Sequence, residues 1–273
     1  MTTRLHGQWS LLSADGHTSA NISLPGDVIS GLHDAGLIPD PYWGQNEYDL
    51  RWIGETDWVL SRMFDVDRVD QVLVLSEVDT VANVVINGIS VLSCQNVHRS
   101  YRVDLSDVLR IGSNTIQITL KSPVVAGAQE QARMPFYIPV QKGNSPIPNG
   151  NMLRKAQCDF GWDWNIALAN SGITGDITLE PITPHHIASV IVNQSHSAGS
   201  VDVRVQATCK GDADWSVTLC GVTNSGKGPA IDTVLQIEYP ELWWPTGLGD
   251  QPRRGDQAVA AEHRLALQIR QPT

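Results

Sequence analysis

Residues 80–94, Thr-Val-Ala-Asn-Val-Val-Ile-Asn-Gly-Ile-Ser-Val-Leu-Ser-Cys, place two runs of β-branched and aliphatic residues on either side of an Asn-Gly pair. Both central residues of a two-residue hairpin turn need a positive φ, which Asn87 and Gly88 adopt more readily than most residues. The stretch therefore predicts two antiparallel strands, at 80–86 and 89–94, joined by a tight turn.

The same kind of signal recurs along the rest of the chain. Short alternating or β-branched runs that end in turn residues are typical of strands. They predict strands at 58–66, 71–75 and 115–121 in the earlier part of the sequence. They predict a second set at 187–194, 201–208, 215–222, 234–239 and 262–269, at intervals typical of an immunoglobulin-like sandwich. The chain is therefore predicted to be all-β, with a domain boundary at Pro181-Ile182-Thr183-Pro184.

Two segments depart from the strand pattern. One short helix is predicted after Asp27, whose side chain can cap it, with an apolar face formed by Val28, Ile29 and Leu32. Residues 123–151 are rich in Pro, Gly, Asn and Gln without a sustained period, which predicts a long irregular excursion. Ordered loops of this length are often functional.

The composition excludes several classes of function. The chain has 273 residues, a net charge of −10 and no Lys/Arg cluster, which argues against a nucleic-acid partner. No run of 18 apolar residues is present, so no membrane span is expected. The first residues lack the apolar stretch of a signal peptide, and we therefore expect a cytoplasmic location. The four cysteines form no C-x-x-C pair and have no histidine at metal-ligand spacing, so we expect reduced thiols, no metal site and no cofactor.

The most informative motif for function is Gly161-Trp162-Asp163-Trp164. An indole face can stack on the apolar face of a pyranose, and an ionised aspartate accepts charge-assisted hydrogen bonds from sugar hydroxyls. The chain has nine Trp against five Tyr and three Phe, a skew that sugar-binding surfaces favour. Spacing alone is equally compatible with a solvated turn carboxylate beside two core tryptophans.

Six blocks of the sequence carry a family signature. In chain order they are Leu24-Pro25-Gly26-Asp27; residues 36–44 with Asn46-Glu47; Arg51-Trp52-Ile53-Gly54-Glu55 with Asp57-Trp58; Asp79-Thr80-Val81-Ala82 with Asn87-Gly88; Arg154-Lys155 with the tryptophan motif; and residues 242–249. Together they resemble the β-mannosidases of the glycoside hydrolase family that includes β-galactosidases and β-glucuronidases. The resemblance spans nearly the whole chain, and six collinear blocks argue against a chance match.

The resemblance implies an enzyme of several domains, of which this chain holds the first two. It implies a jelly-roll, galactose-binding-like sugar-binding domain at 1–183 and an immunoglobulin-like β-sandwich at 184–273. A catalytic TIM barrel that carries two glutamates is expected downstream and is absent from this sequence, which has no βαβ repetition. We therefore expect no catalytic residue here. The one Asn-Glu pair, Asn46-Glu47, belongs to the sugar-binding domain pattern, and we expect it to have a structural role.

The resemblance also implies which residues bind substrate. Asp163 would bond the hydroxyls of the terminal mannose, and Trp162 would form a wall of the pocket. Trp164, Asn165 and Arg154 would lie at the pocket edge.

Three functions are compatible with these signals. The chain is interpreted first as the N-terminal, non-catalytic region of a retaining exo-glycosidase that acts on a β-mannoside or short manno-oligosaccharide, with the downstream barrel as its partner. Alone it is expected to be inactive. The alternatives are a stand-alone carbohydrate-binding or lectin-like module, since jelly rolls serve that role without catalysis, and part of an enzyme that acts on β-galactosides or β-glucuronides.

Overall fold

The computed structural model describes residues 2–140, 145–161, 165–183, 185–212 and 214–251, together with the backbone of 266–270. The chain divides into two compact units, Met1–Ile182 and Thr183–Thr273. In the described residues both units consist mainly of antiparallel strands, which confirms the predicted all-β class.

The first unit contains thirteen strands and three α-helices within its described residues. The strands are β1 (Thr3–Arg4), β2 (Gly7–Ser13), β3 (Ser19–Leu24), β4 (Gly26–Asp27), β5 (Trp58–Val66), β6 (Gln71–Leu75), β7 (Val78–Asp79), β8 (Ala82–Ile86), β9 (Ile89–Cys94), β10 (Tyr101–Asp104), β11 (Gly112–Leu120), β12 (Gly172–Ile173) and β13 (Ile177–Pro181). The helices are α1 (Val28–Asp34), α2 (Asn46–Asp49) and α3 (Pro123–Arg133), and short 3-10 turns cover Arg51–Ile53, Gly150–Met152 and Gln157–Asp159.

The strands of the first unit form two large sheets and one small sheet. The largest has the order β3-β2-β5-β11-β8-β9, the second has the order β1-β13-β6-β10, and a three-stranded sheet has the order β4-β12-β7. Inward-facing residues of both large sheets belong to one buried cluster that includes Trp9 and Trp58 from the first sheet and Leu73 and Leu179 from the second. The two sheets therefore share a hydrophobic core, as in a β-sandwich.

The hairpin predicted at 80–94 is present. Asn87 and Gly88 have φ of 50° and 84°, as a two-residue turn between β8 and β9 requires. The Asn87 side chain donates to the carbonyl of Val108 and to Oδ1 of Asn114. These two hydrogen bonds hold the turn against β11 and the segment that leads into it. The first strand begins at Ala82 rather than residue 80, because the chain passes there from the small sheet, which contains β7, into the large one.

Helix α1 is confirmed, with its cap in the predicted place. The Asp27 side chain accepts from the amide of Ser30 at 2.9 Å, and Val28, Ile29 and Leu32 are buried. The prediction of an irregular excursion over 123–151 is wrong for its first part, where α3 forms.

Helix α3 has ordinary helix-start residues, but the Pro, Gly, Asn and Gln content of the segment favours a loop prediction. Ser122 caps the amide of Val125 at 3.0 Å, and Pro123 occupies the first turn, where its missing N–H costs nothing. Its buried face consists of Pro123, Ala126 and Gly127, which are too small to give a visible hydrophobic period. No helix among the described residues is long and apolar enough to cross a membrane.

The second unit contains two three-stranded sheets in its described residues. Its strands are β14 (His186–Ser197), β15 (Ser200–Lys210), β16 (Asp214–Leu219), β17 (Val222–Lys227), β18 (Ala230–Glu238) and β19 (Ala266–Arg270). The sheet orders are β14-β15-β18 and β17-β16-β19. Alternation along β15 buries Val201, Val203 and Val205, which pack in one cluster with Val217 of β16 and Leu235 of β18. Its assignment as an immunoglobulin-like sandwich stays a prediction.

One predicted strand of the second unit is wrong in extent. The run at 215–222 divides at Cys220 and Gly221, whose φ values of 49° and 81° form a tight turn between β16 and β17. The sequence gives only a weak signal for this turn, because Cys, unlike Asn or Asp, rarely adopts a positive φ.

The two buried thiols are poor nucleophiles. Burial raises the pKa of the Cys94 thiol to about 12, and burial also raises the pKa of Cys209. Because the thiolate is the reactive form, these side chains act as small core residues near neutral pH.

Candidate functional site

The side chains expected to contact sugar, Trp162, Asp163 and Trp164, lie outside the described residues. The structure describes the chain on both sides of them, up to Gly161 and from Asn165. We call residues 157–161 and 165–170 the loop base.

The two halves of the loop base are held together by backbone contacts. Phe160 and Ala167 form an antiparallel bridge. The amide of Ala169 donates to the carbonyl of Asp159 at 2.7 Å, and the amide of Ile147 donates to the carbonyl of Phe160 at 3.4 Å. The segment that leads into the tryptophan motif is therefore paired with the segment that follows it.

A small hydrophobic core lies beneath the loop base. Phe160, which is 1% exposed, packs in a cluster with Ile147, Leu153, Ala167 and Ala169, separate from the main core of the unit. This cluster also includes Ala126 of α3, so the helix missed by sequence reasoning contributes to supporting the candidate site.

Two glycines are required by the close packing of this region. A Cβ at Gly150 would overlap the ring of Phe160. Gly161 has a φ of +96°, and a Cβ there would come within 2.6 Å of Cδ of Pro146. The first residue of the tryptophan motif is therefore glycine for both conformational and steric reasons.

A buried ion-pair cluster anchors the loop base to the sheet. The Lys155 side chain is 0% exposed, and its Nζ lies 2.8 Å from Oδ2 of Asp79 and 2.6 Å from Oδ2 of Asp159. The same ammonium donates to the carbonyl of Asn170 at 2.7 Å. All three ammonium protons thus have acceptors, one of which belongs to β7 and two to the loop base. The sequence analysis names Lys155 only as part of a family block, and no local signal in the sequence identifies Asp79 as its partner.

The segment before β5 supports the other side of the loop base. Oε1 of Glu47 accepts from the amide of Ala167 at 3.2 Å and lies 3.6 Å from the guanidinium of Arg51. The Tyr42 hydroxyl donates to Oδ1 of Asn165 at 3.3 Å. Glu47 therefore makes the kind of structural contact that was expected from the sequence.

We expect the stability of the chain to depend on the acceptor of Glu47 rather than on its charge. Glu47→Gln should leave the free energy of unfolding within about 1 kcal/mol of the parent, whereas Glu47→Ala should lower it by about 1–2 kcal/mol because the Ala167 amide loses its acceptor. Urea denaturation measures both, with Glu55→Ala as the exposed control. Equal losses for the Gln and Ala variants would contradict the hydrogen-bond role.

A cleft of about 430 Å³, the loop-side cleft, opens beside the loop base. Its polar lining includes Asp40, Tyr42, Asp159, Asn165 and Asn170. Carboxylate, amide and phenol groups are the types that hydrogen-bond sugar hydroxyls. Within the described ranges, no group of three His, Cys, Asp or Glu side chains is arranged to hold a metal ion.

The structure separates two of the predicted pocket-edge residues. Asn165 lines the loop-side cleft. Arg154 instead lines a second cleft, of about 680 Å³, together with Arg99, Asn96 and one face of α3, and we call this the arginine cleft. Tyr42 contacts Asn165 but was not among the predicted site residues. Its position in the family block at 36–44 is the sequence feature that could have indicated it.

Comparison with known protein families identifies the first unit. Residues 9–175 match the family described as glycosyl hydrolase 2 galactose-binding domain-like, and they make up more than half of the chain. The chain belongs to this family. The resemblance seen in the six sequence blocks is therefore confirmed, and so is the galactose-binding-like architecture of the first unit.

Curated relatives of the chain include proteins named β-mannosidase. A probable β-mannosidase from Caenorhabditis elegans is 30% identical over 279 residues, which cover 90% of this chain and 31% of that protein. A β-mannosidase from Capra hircus is 31% identical over 275 residues, with the same two coverages. The chain thus spans 31% of the length of these relatives.

Solved structures show the same fold. The β-D-mannosidase from Dictyoglomus thermophilum superposes with a TM-score of 0.78 at 23% identity, over 92% of this chain and 33% of that one. The β-glucuronidase from Ruminococcus gnavus superposes with a TM-score of 0.56 at 13% identity, over 89% of this chain and 40% of that one. At these identities the likeness concerns the fold alone.

Proposed function

We propose that this chain is the non-catalytic N-terminal region of a retaining exo-glycosidase that removes terminal β-linked mannose, and that it supplies one wall of the sugar subsite. The observation that carries the proposal is the relationship to proteins named β-mannosidase at about 30% identity over 90% of the chain. Hydrolysis would use two carboxyl groups about 5 Å apart, on a barrel domain of the longer protein.

The contacts that brace the loop base support a role in substrate binding. A binding side chain is effective when its backbone is held in place before the ligand arrives. The Phe160–Ala167 bridge and the Lys155 cluster supply such support on either side of the motif. In this proposal Trp162 stacks on the sugar and Asp163 accepts hydrogen bonds from its hydroxyls.

Exposed aromatic side chains near the loop base support contact with another domain. Tyr42, Trp43 and Tyr48 are 72%, 76% and 60% exposed, and they belong to the segment that contacts Asn165 and Ala167. Large exposed aromatic groups are typical of interaction surfaces. We propose that the downstream catalytic barrel covers this surface, which would bring the tryptophan motif next to the reacting sugar.

Substitution of Asp163 in the longer protein tests the subsite role. Asp163→Ala should lower kcat/KM for p-nitrophenyl β-mannoside by about 10- to 150-fold, since a charge-assisted hydrogen bond contributes about 1.5–3 kcal/mol. Asp65→Ala, an exposed carboxylate on β5, is the matched control and should leave kcat/KM unchanged. Unchanged kinetics of Asp163→Ala would contradict the role.

Two further arms of the same assay test the rest of the proposal. The 273-residue chain alone should not hydrolyse the mannoside, and turnover that persists through purification would overturn the assignment as non-catalytic. The longer protein should hydrolyse the β-mannoside faster than the matching β-galactoside or β-glucuronide. A reversed preference would overturn the mannosidase assignment but leave the family unaffected.

A further inference from the structure

The arginine cleft has the size and lining of a small-ligand site. Its volume of about 680 Å³ falls within the range of about 300–1,000 Å³ that such sites occupy. One wall is a face of α3 that presents Val125, Gln129 and Arg133, spaced four residues apart. Buried Tyr101 and Leu153 supply apolar surface within the cleft.

Two of the cations in the cleft are already neutralised. Nζ of Lys121 lies 2.7 Å from Oδ2 of Asp57. Arg133 forms an ion pair with Glu130, one turn away on α3. These four side chains line the cleft but add no net charge to it.

The other two cations are not neutralised. Within the described part of the chain, Arg99 and Arg154 have no carboxylate within ion-pair distance, and both are exposed. Counted over the described residues alone, the cleft carries two uncompensated positive charges, although the whole chain has a net charge of −10. A concave site with such a charge attracts anions against the overall charge of the protein.

Contacts hold together the two segments that carry these arginines. The guanidinium of Arg99 lies 4.9 Å from the centroid of the Tyr101 ring, and the Tyr101 hydroxyl donates to the carbonyl of Asn96 at 3.2 Å. The carbonyl of Arg154 accepts from the amide of Val97 at 3.0 Å, and Asn96 forms a parallel bridge with Arg154. The two arginine-bearing segments are thus adjacent and tied together, which reduces the entropy lost when a ligand binds.

We propose that the arginine cleft binds a saccharide that carries an anionic substituent, either a carboxylate or a phosphate. Guanidinium groups match both anions through paired N–H donors. Ser93, Gln95 and Gln129 provide hydroxyl and amide groups for sugar hydroxyls. The site goes beyond the proposed function, because neither the mannose subsite nor the tryptophan motif uses Arg99 or these amides.

Titration of the 273-residue chain with four probes tests the proposal. Glucuronate and mannose 6-phosphate should bind at least about tenfold more tightly than methyl β-mannoside, since each adds charge-assisted bonds. Mannose 6-phosphate should also bind more tightly than inorganic phosphate. Calorimetry gives the affinities, and the side-chain amide NMR signals of Gln95, Asn96 and Gln129 identify the cleft. Comparison of the two acidic sugars distinguishes the carboxylate from the phosphate.

Substitution separates this site from adventitious binding. Arg99→Gln and Arg154→Gln should each weaken binding of the preferred probe by about tenfold. Arg110→Gln, an exposed arginine outside the cleft, should leave it unchanged. Unchanged thermal midpoints would show that the exposed substitutions leave the fold intact. Absence of binding, equal effects of all three substitutions, or inorganic phosphate binding as tightly as mannose 6-phosphate would overturn the proposal.

Discussion

Lys155→Met is expected to lower the free energy of unfolding of the first unit by about 3 kcal/mol. The substitution keeps most of the side-chain volume but removes the ammonium that lies 2.8 Å from Asp79 and 2.6 Å from Asp159. The two carboxylates, which are 17% and 21% exposed, would then face each other without a cation. The carbonyl of Asn170 would also lose its donor. Urea denaturation followed by tryptophan fluorescence measures the loss.

Lys121→Met is the matched control. Nζ of Lys121 lies 2.7 Å from Asp57, so the ion pair has the same chemistry and nearly the same length, but the Lys121 side chain is 53% exposed. Because water screens such a pair, the loss should be below about 1 kcal/mol. Similar losses for the two variants would contradict the conclusion that burial makes the Lys155 cluster important.

The features that could be predicted from sequence are those with local signals. The turn at Asn87 and Gly88 and the helix capped by Asp27 each depend on residues within a few positions of one another. The Lys155 cluster could not be predicted in this way, because Asp79 is 76 residues away and is brought close only by the sheet that contains β7. Helix α3 was missed for a different reason, since the face it buries is made of small residues.

The candidate site also combines features that have local sequence signals with features that depend on long-range contacts. Residue types and the family resemblance together predict that the tryptophan motif contacts sugar, because stacking and charge-assisted hydrogen bonding are properties of the side chains themselves, and this role stays a prediction. Proximity in sequence does not place two residues in one cleft: Arg154 and Asn165, eleven positions apart, line different clefts, and their role at the pocket edge stays a prediction. Arg154 is bridged to Asn96, whereas Asn165 contacts Tyr42, 123 residues earlier in the chain. These long-range contacts depend on the topology of the sandwich.

Phe160→Ala is expected to lower the free energy of unfolding by about 3–5 kcal/mol. The Phe160 side chain is 1% exposed, and its ring packs directly against the Gly150 backbone, where no side chain fits. Removal of the ring therefore leaves a cavity, and Gly150 has no side chain that could fill it. Phe136→Ala, in which the ring is 66% exposed, should change stability by less than about 0.5 kcal/mol. Urea denaturation of both variants gives the comparison.

The same substitution tests whether the small core supports the tryptophan motif. Phe160 is two residues before Trp162, and its backbone pairs with Ala167 on the other side of the motif. If the core holds the motif in place for binding, Phe160→Ala in the longer protein should lower kcat/KM for the β-mannoside even at temperatures where the variant stays folded, because a poorly positioned wall binds the transition state less well. Phe160→Leu should recover part of both losses by refilling the cavity. A folded Phe160→Ala variant with unchanged kcat/KM would mean that the motif keeps its position without this core, and the proposed link between packing and substrate binding would then be wrong.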